Sequence, residues 1–378
     1  MITILGVDLP IVQAPMAGVS TPALAAAVSN AGGLGSLGIG ASTAAQARQA
    51  IAETRALTDK PFNVNVFCHE PARREEKREA GWLKHLAPLF SEFGVDAPTG
   101  LDEIYKTFLT DEEAFRMLLD ERPAIVSFHF GLPAPDKIAA FREAGIRMLA
   151  TATNPVEAGA IEAAGIDGIV AQGIEAGGHR GMFDPDAVDE KLSASVLVRL
   201  LVTKTSLPVI AAGGIMDGAG IRAALDLGAV AAQLGTAFVL CPESAANAGY
   251  RENLKSKRAD VTRLTPVLSG RPARGIVNRF ITYCEAAGSP APAAYPVAYD
   301  AAKQLNAAAA KQGNNEFAAQ WAGQGAALAR ELPAARLVET LVMELQAAGG
   351  STQPFVRADK AFSSEADTAL REENALNQ

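Results

Sequence analysis

Short, almost uninterrupted apolar runs recur along this chain, each followed by a stretch with helical spacing. The runs are Pro10–Ala14, Leu34–Leu37, Phe62–Phe67, Ala124–Phe128, Arg147–Ala152, Gly168–Gln172, Leu207–Ala211 and Val230–Leu234. They are too short for ordinary helices and lack a polar alternation, so they read as strands buried on both faces of a parallel sheet. Between them, stretches such as Pro133–Ala144, Pro155–Ala164 and Asp217–Leu227 place apolar residues at helical intervals. The first helix is expected near Thr21-Pro22, with Thr21 as the cap and Pro22 in the first turn, where its missing N–H costs nothing. Eight such units fit an α/β fold of the eightfold β/α (TIM) barrel type. A doubly wound sheet shares the rhythm, because periodicity does not close a barrel.

The rhythm breaks twice. Residues 70–120 hold the charged run PARREEKREAGWLKHL and a helical pattern at Asp111–Leu119. That is too long for an ordinary strand-to-helix connection and reads as an insertion. Beyond Ser244 the chain turns polar, with short extended segments within Leu264–Asn278 and a proline-rich stretch at Ala286–Tyr295. Helical patterns follow at Ala298–Lys311, Phe317–Ala329 and Ala335–Leu345. The expected organisation is a barrel over residues 1–245 containing the insertion. A smaller, mainly helical substrate-side unit over 246–336 follows, then a C-terminal helix and tail over 337–378 packing back on the barrel.

The 378 residues are 49% hydrophobic and 20% charged, with a formal charge of -8. This balance fits a globular chain and argues against a nucleic-acid partner. Three cysteines lack the density of a disulfide scaffold and the spacing of a zinc site. No stretch reaches the length of a membrane span, and MITILGVDLPIVQAPM is not a secretory leader. The expectation is a cytoplasmic protein, monomer or dimer, with no membrane contact. No HExxH or compact acidic cluster suggests a metal, and no nucleophile elbow suggests a serine hydrolase.

A β/α barrel handles ligands at the carboxyl ends of its strands. That rule gathers Gln13-Ala-Pro-Met-Ala-Gly18, Asn63-Val-Asn65, Ser127-Phe-His-Phe-Gly131 and Gln172–Gly181 at one mouth. The loops Ala211-Ala-Gly-Gly-Ile-Met-Asp217 and Gln233-Leu-Gly-Thr-Ala-Phe238 follow strands seven and eight, where barrels bind phosphate. Neither carries a full dinucleotide or Walker pattern, so a mononucleotide fits better. In QGIEAGGHRG, His179 is either a proton-handling group over the site or a histidine in a surface turn. His129 reads as a pocket wall or a core histidine, and Glu175 as a partner of His179 or a structural loop residue. Tyr295, Tyr299 and Lys303 follow i, i+4, i+8 spacing and, with Tyr105, form either an anion-binding group or a packed helix face.

Four stretches together resemble the nitronate monooxygenase family, class I: QAPMAGVSTPALAAAVSNAGGLGSLG (13–38), VSFHFG (126–131), ATATNPVEAGAIEAAGIDGIVAQGIEAGGHRGMF (150–183) and AAGGIMDGAGIRAALDLGAVAAQLGTAFVLCPES (211–244). The resemblance implies an FMN-dependent barrel. It also implies oxidation of propionate 3-nitronate and other alkyl nitronates by molecular oxygen, through single-electron transfer, to carbonyl products and nitrite. Carried over by position, Gly214, Gln233, Leu234, Gly235 and Thr236 would hold the FMN phosphate end. Ala14, Pro15, Met16, Asn65, Gln172 and Gly177 would border the flavin. His179 and His129 would be the catalytic pair, and Tyr105, Tyr295, Tyr299 and Lys303 the substrate-side group. A flavin-dependent enoyl-thioester reductase and a noncatalytic FMN-binding regulator are the competing readings.

Overall fold

The computed structural model describes residue 2 and residues 4–350; the polar C-terminal tail read from the sequence lies outside them. In chain order the barrel lays down β1 (Ile11–Gln13), α1 (Pro22–Asn30), β2 (Gly35–Gly38), α2 (Ala44–Leu57) and β3 (Phe62–Phe67). The insertion supplies α3 (Glu76–Glu92) and α4 (Glu112–Glu121). The alternation resumes with β4 (Ile125–His129), α5 (Pro135–Glu143), β5 (Arg147–Ala152), α6 (Pro155–Ala163) and β6 (Gly168–Gln172). A two-residue strand β7 (Gly178–His179) precedes α7 (Ala194–Lys204), β8 (Val209–Ala212), α8 (Gly218–Asp226), β9 (Ala231–Leu234) and the short α9 (Thr236–Val239). The remainder comprises α10 (Ala248–Leu254), β10 (Thr262–Thr265), β11 (Ala273–Ile276), α11 (Arg279–Cys284), α12 (Val297–Ala310) and α13 (Ala334–Gly350).

Eight parallel strands run in the order β1-β9-β8-β6-β5-β4-β3-β2. The ends of that sheet meet, because Val12 bridges Leu34 in parallel, with Gln13 N donating to Leu34 O and Leu34 N to Ile11 O, both at 2.9 Å. The sheet is therefore a barrel and not an open doubly wound array. The first cap falls where the sequence places it, Thr21 accepting from Leu24 N with Pro22 behind it; the structure adds Asp111, which caps α4 by accepting from Ala114 N.

Strand alternation sorts the barrel's residues by face. Val126, Phe128, Met148 and Ala150 face the helices and join the large outer core. Ile125, Leu149, Val170 and Ile210 point inward and close the lower interior with Leu5, Val12 and Leu34. One step further along the same inward face the residues turn polar: Ser127, Thr151 and Gln172. An apolar plug thus lies beneath a polar floor at the carboxyl ends of the strands.

A second hydrophobic core lies beside the barrel. Trp82, Leu86 and Phe90 of α3 pack with Phe280, Val297, Ala301, Leu305 and Phe317. The first part of the insertion therefore joins the segment after the barrel, while Phe108, Met117 and Leu118 pack on the barrel itself. Residues 246–336 also carry a hairpin, β10–β11, which β7 extends to three antiparallel strands. Two local expectations are corrected. Phe317–Ala329 is not a helix; it holds only a 3-10 turn at Ala326–Leu328. Its backbone instead bonds alongside β11, with Ile276 N donating to Gln320 O and Ala322 N to Arg274 O. His179 likewise lies not in a free loop but opposite Ala273 on a sheet edge.

Candidate active site

A cavity opens at the carboxyl ends of the barrel strands and encloses about 1360 Å³ of empty space, its open mouth included. Its floor is the polar layer. Asn65 Nδ2 donates to Ser127 O and Oγ at 3.1 and 2.9 Å. Gln172 is fixed at both ends: Nε2 donates to His179 O at 2.9 Å and Oε1 accepts from Gly181 N at 2.7 Å. Both side chains line the cavity with Ala14, Pro15 and Met16.

One wall is built from glycines. Gly213 and Gly214 adopt φ of 124° and 71°, conformations that favour glycine, directly after β8. Gly235 precedes α9, and a Cβ on it would sit 3.4 Å from Ala14 Cβ. The backbone N–H groups of Gly213, Gly214 and Gly235 have no acceptor among the described residues. Thr236 Oγ1 accepts from Gly323 N at 3.0 Å, so its own proton is free to be donated. Gly177 packs so closely on the strand-like segment at 322–323 that a Cβ there would lie 2.5 Å from Gly323 N. Donors without partners along one wall, glycines that keep the wall thin and a roomy cavity fit the phosphate and ring that a flavin mononucleotide would bring. Gln233 lines this wall, whereas Leu234 does not: its side chain is fully buried in the core.

The facing wall is aromatic. His179 projects from β7, with ring centroids 5.3 Å from Tyr295, 5.2 Å from Trp321 and 5.6 Å from Phe130. Its Nε2 lies 2.9 Å from Ser269 Oγ. Burial, with further contributions from His129, Arg271 and His69, pushes its pKa down to about 3, so the resting imidazole is neutral. His129 sits below, its Nε2 at 3.2 Å from His179 O and its Nδ1 at 3.0 Å from Thr151 Oγ1. Because a carbonyl only accepts, His129 carries its proton on Nε2 and takes the Thr151 proton on Nδ1. Burial lowers its pKa to about 4. Glu175 is no partner of His179; its carboxylate accepts from Ala194 N at the start of α7, at 3.0 and 3.2 Å.

Tyr105, Tyr295, Tyr299 and Lys303 come together. Tyr105 lies 6.4 Å from Tyr295 and 5.8 Å from Tyr299, centroid to centroid, and Lys303 Nζ stands 4.8 Å from the Tyr105 ring and 5.2 Å from that of Tyr299. Tyr295 precedes α12, so the three residues do not share one continuous helix, but they still face one place. Tyr105 and Tyr299 line the cavity, while Tyr295 and Lys303 stand behind them. Burial raises all three phenols, Tyr299 to about 12, so each remains a donor. Burial lowers the Lys303 ammonium. Among the described residues, no Asp or Glu lines the cavity.

Three residues, Trp321 in this wall and Ser269 and Arg271 behind it, escaped the sequence reading. Trp321 lies in the stretch misread as helix, although the glycines at 323 and 325 beside one of only two tryptophans were a signal. Ser269 and Arg271 lie in the β10–β11 loop and match no motif. Arg271 is buried, with its guanidinium 4.1 Å from the Phe130 ring, and it donates to Met182 O. Burial lowers its pKa to about 10, which still leaves it charged at neutral pH. Among the described residues no group of three or more His, Cys, Asp or Glu could hold a metal, and no helix is long and apolar enough to cross a membrane.

With this geometry in place, known proteins sharpen the picture. The family profile described as Nitronate monooxygenase matches residues 1–344. A nitronate monooxygenase of Pseudomonas aeruginosa is 61% identical over 343 residues, covering 91% of this chain and 98% of that protein. One from Paraburkholderia phytofirmans is 60% identical over 346 residues, covering 92% and 94%. Among solved structures, a nitroalkane oxidase from Streptomyces ansochromogenes superposes with a TM-score of 0.85 at 43% identity, covering 92% of this chain and 99% of that one. FabK from Thermotoga maritima is more distant, with a TM-score of 0.69 at 29% identity, covering 92% and 96%.

Proposed function

The chain belongs to the nitronate monooxygenase family, and on that premise we propose that it oxidises propionate 3-nitronate and other alkyl nitronates with molecular oxygen, using FMN, to carbonyl products and nitrite. One observation carries the reading: a glycine wall with unpaired N–H donors faces a wall of neutral histidine and phenols, with an ammonium behind it, across a cavity that no carboxylate lines among the described residues. Such a cavity suits two anions, a phosphate on one side and a nitronate on the other.

Gly213, Gly214, Gly235 and Thr236 would hold the phosphate, and Ala14–Met16, Asn65, Gln172 and Gly177 would border the ring. FMN, when bound, supplies the one-electron chemistry toward nitronate and oxygen that no side chain here can supply. The chain's own task is positioning and charge control. The hydroxyls of Tyr105 and Tyr299 offer donors to an anionic oxygen, Lys303 behind them adds its positive charge, and the aromatic wall of Tyr295, Trp321 and Phe130 excludes water around it. A nitronate arrives already deprotonated, so His179 is not required to take a proton from it. His129, with both ring nitrogens engaged, is a positioning residue that supports the β7 edge.

The test is a single assay on FMN-loaded protein. Anaerobic mixing with propionate 3-nitronate should change the flavin spectrum, and admission of air should restore it with release of nitrite. NADH oxidation dependent on an enoyl thioester, without nitrite release, would overturn the proposal, as would flavin that responds to no substrate.

A further inference from the structure

Ser269 is fully buried in the loop between β10 and β11, and its hydroxyl touches three groups. His179 Nε2 lies at 2.9 Å, Arg271 O at 3.1 Å and Arg271 N at 3.4 Å. A hydroxyl has one proton to give and two lone pairs to receive with. The Arg271 carbonyl can only accept, and no other donor among the described residues reaches it. If the Ser269 proton goes there, both other groups must donate to Oγ, which the Arg271 N–H does by nature. His179 must then carry its proton on Nε2. The opposite assignment leaves the buried Arg271 carbonyl unpaired, which a folded interior strongly disfavours.

We propose that Ser269 is a positioning residue that fixes His179 in the Nε2-protonated tautomer, so that the acceptor nitrogen Nδ1 faces the cavity. The surrounding rings support this orientation, since Phe130, Tyr295 and Trp321 all lie within 5.6 Å of the imidazole, centroid to centroid. Among the described residues Nδ1 itself makes no hydrogen bond and is not closed off by its neighbours. His129, by the same proton count, has no lone pair left for the cavity.

The inference rests on the functional reading above and deepens it by separating two substrate classes. A lone pair repels the oxygens of a nitronate, which therefore turn to the phenols and the charge of Lys303 behind them. The same lone pair is placed to accept a proton from the α-carbon of a neutral nitroalkane. In that step the C–H bond breaks, its electron pair stays with the substrate as a nitronate, and the proton joins Nδ1. The resulting imidazolium keeps its Nε2–H on Ser269. Ser269 thus governs turnover of neutral nitroalkanes and leaves supplied nitronates unaffected.

Two measurements on FMN-loaded protein test this. In ¹⁵N-histidine spectra, His179 should show a protonated Nε2 and a bare Nδ1 in the wild type and in S269T, and a mixed or reversed pattern in S269A. A protonated Nδ1 in the wild type, or a pattern unmoved by S269A, overturns the proposal. In kinetics, S269A should lower kcat for nitroethane by about a hundredfold, the scale of losing a correctly presented base. Its turnover of propionate 3-nitronate should stay within about twofold. Equal loss on both substrates overturns the proposal. S269C, a weaker donor of similar size, gives the same contrast where S269A does not retain flavin. Absence of nitronate turnover in the wild type would defeat the functional reading while leaving the tautomer result standing.

Discussion

Arg271 carries a buried positive charge with no carboxylate within ion-pair distance among the described residues; its contacts are carbonyls and the Phe130 ring. Lone buried cations are costly unless something compensates them. Its field lowers the pKa of His69, His129 and His179 alike, after burial has done most of that work. The same field favours an anion in the cavity. R271M should therefore raise KM for propionate 3-nitronate by about tenfold, equivalent to about 1.4 kcal/mol, with a smaller change in kcat. R271K should recover part of that affinity, and binding of neutral nitroethane should change little in either variant. Equal weakening of both ligands would show that Arg271 acts only through the 182–183 backbone it holds. None of this is legible in the sequence. His179, flanked by glycines after a strand, announces itself by local pattern, whereas Arg271 and Ser269 acquire meaning only from residues some 90 positions away.

At the scale of elements, two contacts join parts of the chain that the sequence presents as separate. Lys137 on α5 is buried, and its Nζ lies 2.7 Å from Glu112 and 3.3–3.4 Å from the carbonyls of Leu109 and Phe108. It thus ties the later half of the insertion to the barrel. K137M should keep the packing but leave both carbonyls unpaired, at a cost of about 1–3 kcal/mol in urea unfolding. An unchanged midpoint would mean that the apolar contacts of Phe108 and Leu118 suffice. The second contact is the approach of Gly177 to Gly323. G177A would force these walls apart, so flavin content on purification should fall severalfold while far-UV circular dichroism is retained. Full flavin occupancy in G177A would show that the wall can yield. The barrel elements were legible because a strand buried on both faces has a sequence signature. Phe317–Ala329 was misread because its apolar residues happen to follow helical spacing, while Gly323 and Gly325 are there for a backbone approach that spacing does not reveal.

The molecule as a whole places three neutral histidines where its two cores meet the cavity, which gives its stability a predictable pH dependence. In the native state burial holds His69 and His129 at about 4 and His179 at about 3. In the unfolded chain each returns to an ordinary value near 6.5. Above about pH 6.5 neither state binds these protons, and stability is at its full value. As pH falls from there toward 4, the unfolded chain takes up protons that the native state refuses. Stability drops by up to about 1.4 kcal/mol per histidine per pH unit, and the loss is complete once pH passes below the native values. Surface carboxylates such as Glu79 and Asp226, whose pKa values are lowered by Arg74 and Arg222, lose their stabilisation only below the ordinary carboxylate range. The window between about pH 6.5 and 5 therefore belongs to the histidines. Urea midpoints measured across it should fall steeply in the wild type. H129Q keeps a donor and an acceptor against His179 O and Thr151 but cannot titrate, so its slope should be shallower by about one proton. An identical slope in H129Q would mean that His129 is protonated as readily in the native state as in the unfolded chain, and the account of histidines held neutral around the site would fail.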